Sequence, residues 1–237
     1  MLSLLDLHAQ IDEALAINSI ESSFSYEFYT DLINEQRSVS LRNEYNRNRS
    51  IDPYVLQSLN CLELEKVNPI DCCVDVPKGC SLMRTVMEIP NTIEFFFTKG
   101  IASIGSPDIT KPRIVLIDYS RVPYVGEGRT TGKTVYAFLY NNHIYLTSKD
   151  INYTLLKYIT VRGIFEDPTS LGAFLDCQSA KQCWSSSDIY PLNLWMWAYI
   201  KPLVLQQLMQ KGVNQLDDSN NAEDQRTEQG APTNGGQ

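Results

Sequence analysis

Histidine is nearly missing from this chain: His8 and His143 are the only two in 237 residues, which leaves little for imidazole-based acid–base or nucleophilic catalysis. His8 falls in a polar stretch of a first helix and His143 is placed by a hairpin, neither beside an obvious nucleophile. Carboxylates such as Asp118, Glu127, Glu166 and Asp167 could meet in space, but no spacing couples any two of them. Neither catalytic residues nor a cofactor are expected.

Cys-x-x-Cys hooks are missing as well. Cys61, Cys72, Cys73, Cys80, Cys177 and Cys183 fall at irregular spacings, whereas a structural zinc site asks for four thiolate or imidazole ligands in a tetrahedron. A metal site is therefore not expected, and in a reducing compartment the six are expected as thiols. The start, Met1-Leu-Ser-Leu-Leu-Asp-Leu-His8, has no basic residue, and Asp6 and Asp12 interrupt any apolar run, so no secretory signal is expected. The most apolar late segment is interrupted by Asn193, Lys201, Pro202, Gln206 and Gln207, well short of the ~20 apolar residues of a membrane span.

A dense basic face, the usual signature of a nucleic-acid reader, is also lacking. The one basic cluster, Arg37, Arg42, Arg47 and Arg49, is interleaved with Glu35 and Glu44, which reads as a solvated helix face before a phosphate or acidic-protein contact. Net charge is −8, of which Gly212–Gln237 contributes −4 (five acids and Arg226), so the body is only mildly acidic. Gly126-Glu-Gly-Arg-Thr-Thr-Gly-Lys-Thr134 imitates a phosphate loop, but Gly126 leaves five residues before Gly-Lys-Thr and Gly128 leaves three, where the motif needs four. A strand also follows it, where phosphates want a helix N-terminus.

The chain holds 43% hydrophobic residues, enough for one sizeable core or two small ones. Leu4, Leu7, Ile11 and Leu15, then Ile20, Phe24, Phe28 and Leu32, recur at helical steps, predicting two helices that break near Asn18-Ser19. The second runs on towards Tyr45, and its polar later part should lie on the surface or between subunits. Asp52-Pro53 predicts an N-capped helix through about Leu59, and Asp167-Pro168 another before Leu171–Leu175. Thr92–Thr98, Arg113–Tyr119 and Leu155–Phe165 read as strands.

Thr134–Leu146 reads as a hairpin. Asn141-Asn142 can supply both positive-φ positions of a type I′ turn, so Tyr140 should pair with His143, Leu139 with Ile144 and Phe138 with Tyr145. That register puts Val135, Ala137, Leu139, Ile144 and Leu146 on an aliphatic core face, and Tyr136, Phe138, Tyr140, His143 and Tyr145 on an aromatic surface.

The last helix carries two of the three tryptophans, Trp195 and Trp197, beside Tyr199. Leu194, Trp197 and Pro202–Leu205 cannot all point the way Trp195 and Tyr199 do, so the helix is apolar on more than one face and is expected to meet a second partner surface. After Gly212 the sequence is too polar to offset its ordering entropy by burial. The reading is α+β: a helical part (1–60 and 166–212) with the C-terminal helix packed on the N-terminal helices, a central antiparallel β-rich part (61–165), and a flexible acidic tail (213–237).

Two leading helices, a β-rich middle with Cys72-Cys73, the stretch Val161-Arg-Gly-Ile-Phe-Glu-Asp-Pro168, and then Tyr190-Pro-Leu-Asn-Leu-Trp-Met-Trp-Ala-Tyr-Ile-Lys201 come in that order. Over roughly residues 20–212 this resembles the head-to-tail connector, or neck ring, proteins of short-tailed, crAss-like bacteriophages. The resemblance implies a non-enzymatic virion ring, usually of twelve copies, between the portal and the distal tail. Its partners would be itself, the portal protein, further neck or tail rings, and genomic DNA passing through the lumen without specific binding. Rings repeat one heterologous interface and so ask each chain for two sticky surfaces. The interface candidates are Arg37, Arg42, Arg47 and Arg49; Tyr136, Phe138, Tyr140 and Tyr145; and Trp195, Trp197 and Tyr199. A tail-tube or capsid accessory protein is the alternative, and a small metal-dependent enzyme using the thiols a more remote one.

Overall fold

The computed structural model describes residues 2–17, 24–50, 52–68, 70, 74, 81–96, 99–107, 114–126, 128, 131–176 and 181–227, the stretch 212–227 as helix backbone only. The fold is α+β, with three long helices on a seven-stranded, mostly antiparallel sheet.

Helix α1 (Leu4–Ile17) buries Leu4, Leu7, Ile11 and Leu15, the stripe its spacing predicts. It opens on a reciprocal cap: Asp6 N donates to Ser3 Oγ at 3.2 Å while Ser3 N donates to Asp6 Oδ2 at 2.9 Å. Helix α2 (Tyr26–Asn48) starts at Ser25, whose hydroxyl accepts from Phe28 N, and stops where Arg49 turns left-handed (φ 55°) and donates its N–H to Tyr45 O. The expected break at Asn18-Ser19, with Ile20, lies outside the described residues. Helix α3 (Leu194–Thr227) continues as backbone beyond Gly212, where the sequence predicts its end.

The Asp52 cap forms, accepting from Tyr54 N, but the helix after it is a single 3-10 turn, Pro53–Val55. Its expected continuation to Leu59 is instead the beginning of strand β1 (Gln57–Val67), which pairs with β7 (Tyr158–Gly163) from Gln57↔Gly163 onward. Asp167 likewise caps a 3-10 segment, Pro168–Ala173. Strands β2 (Ser81–Thr85) and β3 (Ile101–Gly105) have no counterpart in the sequence reading. Two expected strands shrink: within Thr92–Thr98 the described residues make only the bridges Thr92↔Phe165 and Glu94↔Lys99, and Arg113–Tyr119 reduces to β4 (Val115–Leu116).

The hairpin of β5 (Tyr136–Tyr140) and β6 (His143–Ser148) has the predicted register, Tyr140↔His143, Leu139↔Ile144 and Phe138↔Tyr145. Asn141 and Asn142 have φ of 47° and 56°, as a type I′ turn requires. Sheet order is β3-β7-β1-β2-β6-β5-β4, and a bridge between Ile104 and Ile114 brings the two edges together, so the sheet curls towards a barrel. One continuous core joins the barrel side chains Leu59, Met83, Ile144, Leu146, Ile159 and Val161 to the helices through Ile33, Met196, Ile200 and Val204.

The hairpin's other face is not a bare aromatic surface. Phe138 and Tyr145, stacked at 5.4 Å, form a second small core with Val74, Leu82 and Val122. The 3-10 segment Tyr119–Tyr124 lies over it and stacks Tyr119 on Tyr140 at 4.7 Å. Tyr136 is buried and Tyr140 half-buried. Alternation along a strand separates two faces, but does not say which face another segment covers.

The expectation of six thiols is also corrected: Cys61, at a β1 bulge with φ 61°, is disulfide-bonded, while Cys183 is a half-buried free thiol. That expectation rested on compartment and not on proximity. Cys72, Cys73, Cys80 and Cys177 lie outside the described residues.

Candidate assembly interface

Helix α3 divides its aromatic residues between two sides. Met196, Trp197, Ile200, Val204 and Leu208 face the core, and the Trp197 indole N–H donates to Gln10 Oε1 on α1 at 2.9 Å. Trp195 and Tyr199, one turn apart, stay 58% and 68% exposed, with Ala198 and Pro202 exposed beside them. The 3.6-residue period forces this division.

Trp195 borders a groove of about 330 Å³ lined also by Leu41, Tyr45, Phe95, Ile164 and Met196. Five pieces of chain build it: the last turns of α2, the Asp52 turn, the start of α3, and the segments that carry Phe95 and Ile164. Asn193 Nδ2 donates to Asp52 Oδ2 at 2.6 Å, tying the second piece to the third, and Tyr45 packs on Phe95 at 4.2 Å between centroids. Tyr54 and Phe96, which follow the groove-lining Pro53 and Phe95, are 68% and 74% exposed. The sequence reading missed both, because each lies in a segment expected to be regular helix or strand. Trp195 and Tyr199, one turn apart on α3, are exposed apolar surface of the kind that marks a contact site.

The four arginines of α2 and its cap do not act together. Arg42, Arg47 and Arg49 are exposed at the groove end of α2. Arg37, expected on a solvated face, is fully buried. Its Nε donates to Pro191 O at 2.9 Å, its Nη1 to Phe165 O at 2.8 Å, and its guanidinium lies 5.8 Å from the Tyr190 ring centroid. Tyr190 donates its hydroxyl to Asn34 Oδ1 at 2.5 Å, and Asn34 Nδ2 donates to Asp167 Oδ1 at 3.0 Å. Burial pushes the Arg37 pKa down, opposed by the fields of Tyr190 and Asp167, and pushes the Tyr190 phenol up. Arg37 thus pins Val161–Pro168 and Tyr190–Lys201, the two stretches of the resemblance, to one helix.

Among the described residues no group of three or more His, Cys, Asp or Glu is placed to hold a metal ion, and no helix is long and apolar enough to cross a membrane. The arrangement is chemically a sticky rim on a braced frame, suited to holding another protein surface.

The family model described as phage tail ring protein 2, of the crAss-like phages, matches residues 10–226, and the chain belongs to that family. No curated protein matches the chain. Family membership makes it a structural component of the virion, one that meets its own copies and other parts of the tail.

Proposed function

We propose that this protein forms a closed ring, of twelve copies as the resemblance implies, which docks to the portal and conducts DNA through its lumen at the head-to-tail connector. The observation that carries this reading is the exposed Trp195–Tyr199 stripe beside the aromatic groove, on a chain of a ring-forming family. A monomer keeps so much aromatic area in water only at a cost of about 25 cal/mol per Å², and association removes it. Arg42, Arg47 and Arg49 on the same end of α2 supply the polar rim of such an interface. On the barrel side, Tyr124 (81% exposed) and the Tyr119–Tyr140 stack offer a second, different contact surface. Two unlike surfaces are what a heterologous ring uses. The mildly acidic body suits a conduit through which DNA slides without being held.

Electron microscopy of the purified chain mixed with its portal protein tests this. The expected image is a ring of this protein coaxial with the portal, its copy number countable from class averages. A strictly monomeric protein with no affinity for the portal contradicts it.

A further inference from the structure

We propose that a basic, aromatic knob on the barrel of one copy, formed by Arg121, Pro123 and Tyr124, seats in the groove of the next. This rests on the ring reading above and names the contact that closes the ring.

The groove is acidic as well as aromatic. Its lining includes Glu44 and Asp52 and no basic residue, and exposed Glu94 adjoins Phe95. Both lining carboxylates are held in place, Glu44 by the side-chain amide of Asn48, and Asp52 by Tyr54 N and Asn193. Leu41, Glu44, Tyr45 and Asn48 form one face of α2 at helical spacing, and exposed Arg42 and Arg47 fall on its flanks. A volume of about 330 Å³ admits side chains and not a whole helix or strand. The matching occupant carries an aromatic ring and a cation.

The 3-10 segment Tyr119–Tyr124 presents that pair. Val122 is its buried anchor in the small second core, while Arg121, Pro123 and Tyr124 stand in solvent. A Cβ at Gly126 would lie 3.8 Å from Lys149 Cγ, so a second exposed cation stands near the tyrosine. Across 118–133 the sequence carries Arg121, Arg129 and Lys133 against Asp118 and Glu127, a net +1. Tyrosine and arginine are frequent interface anchors, and a guanidinium both stacks on indole and pairs with carboxylates.

The two surfaces sit at opposite ends of the β5–β6 hairpin and on opposite faces of it. Ile144 and Leu146 face the large core that the helices share, whereas Phe138 and Tyr145 face the small core that holds Val122. The groove lies towards the turn end, where Asn142 Nδ2 donates to Asn91 Oδ1 at 3.1 Å and the chain runs on to Phe95. Tyr124 lies towards the open end, near Lys149, which follows the last residue of β6. Six residues of β6 at ~3.4 Å each separate these ends by about 20 Å. One copy therefore cannot fill its own groove with its own knob, and the contact is head-to-tail, the geometry that closes into a ring when the rotation permits. Exposed charges are screened beyond about 8 Å at physiological salt, so the contact weakens as salt rises.

Sedimentation velocity of the full chain, Tyr124→Ala, Arg121→Glu, Glu44→Arg and the combination Arg121→Glu/Glu44→Arg tests the proposal. Tyr124→Ala should need about tenfold more protein to assemble, as loss of an interface anchor does. Each charge reversal should also raise the concentration needed, and the combination should recover most of that loss. Assembly of all three single variants at the native concentration overturns the contact and leaves the ring reading standing. A native chain that stays monomeric at every concentration and salt overturns the ring reading and this contact with it. Because a variant can fail to fold, a photo-crosslinking residue at the exposed Tyr124 gives an independent readout in otherwise native protein. Adducts to the groove residues Tyr45, Pro53 or Trp195 of another copy support the contact, and adducts confined to other segments overturn it.

Discussion

Arg37 on α2 reaches Pro191 at the head of the tryptophan segment, donating from Nε to its carbonyl at 2.9 Å across 154 residues of chain. The same guanidinium holds Phe165 O from Nη1, while the buried Nη2 has no hydrogen-bond partner among the described residues. A buried cation that satisfies backbone carbonyls from two distant segments is a fixing point for the frame on which the exposed aromatics stand.

Arg37→Ala should therefore destabilise the folded chain by about 3–5 kcal/mol, since it removes two charge-assisted hydrogen bonds and empties a buried site. Arg37→Lys keeps the charge but lacks the planar fork and should recover only part. Denaturant unfolding with Cm compared at constant m checks both. A change below about 0.5 kcal/mol would mean that Arg37 is only filling space.

Gly163 is fixed by a close approach of two backbones. A Cβ there would lie 2.7 Å from Gly100 O, and Ile164 N donates to that same carbonyl at 2.7 Å. Backbone cannot swing aside as a side chain tip can, so Gly163→Ala should cost about 3 kcal/mol, the upper end of overpacking penalties. It should also loosen the β3–β7 pairing, read as faster amide exchange across Ile101–Gly105.

The tryptophans separate stability from assembly. Trp197→Ala empties a core position and removes the bond to Gln10, and should lower monomer stability by about 3–5 kcal/mol. Trp195→Ala and Tyr199→Ala alter exposed positions and should change monomer stability by less than about 1 kcal/mol, while weakening self-association by about 2 kcal/mol or more, as an interface anchor does. Thermal melts of dilute protein and light scattering of concentrated protein read the two effects apart.

How much of this was legible in sequence depended on range. The Asn141-Asn142 hairpin and the α1 stripe are local patterns, and both formed as read. The split of Trp195 and Tyr199 from Trp197 also follows from helical spacing alone. Strand β1 carries Glu63, Glu65 and Lys66 and a bulge at Cys61, so its alternation is broken; only pairing to β2 and β7 makes it a strand. Arg37 looks no different from Arg42 along α2, because the carbonyls that bury it come from 128 and 154 residues away. The groove is assembled from five separate segments, which no single window of sequence contains.

The packing of α1 on α2 should be sensitive to pH through His8. It is buried and stacks on Tyr26 at 5.2 Å, with its Nε2 3.1 Å from Thr30 Oγ1. Burial lowers its pKa below the ordinary value of 6.5, with Asp12 opposing. The unfolded chain therefore binds the proton first, and stability rises with pH across this range. As pH falls below about 6.5, the fold should lose stability until the lowered folded pKa is passed. His8→Gln should flatten that slope, followed by Trp197 fluorescence, which reports on the α1 contact through Gln10.

If the chain forms the proposed ring, the exposed aromatic surface of one copy is covered by another. Native mass spectrometry of the full chain against Trp195→Ala/Tyr199→Ala tests this. The native protein should give one closed oligomer, twelve-fold by the present reading, and the variant a folded monomer of unchanged stability. A native chain found only as a monomer, or a variant that assembles as well as the native protein, would contradict it.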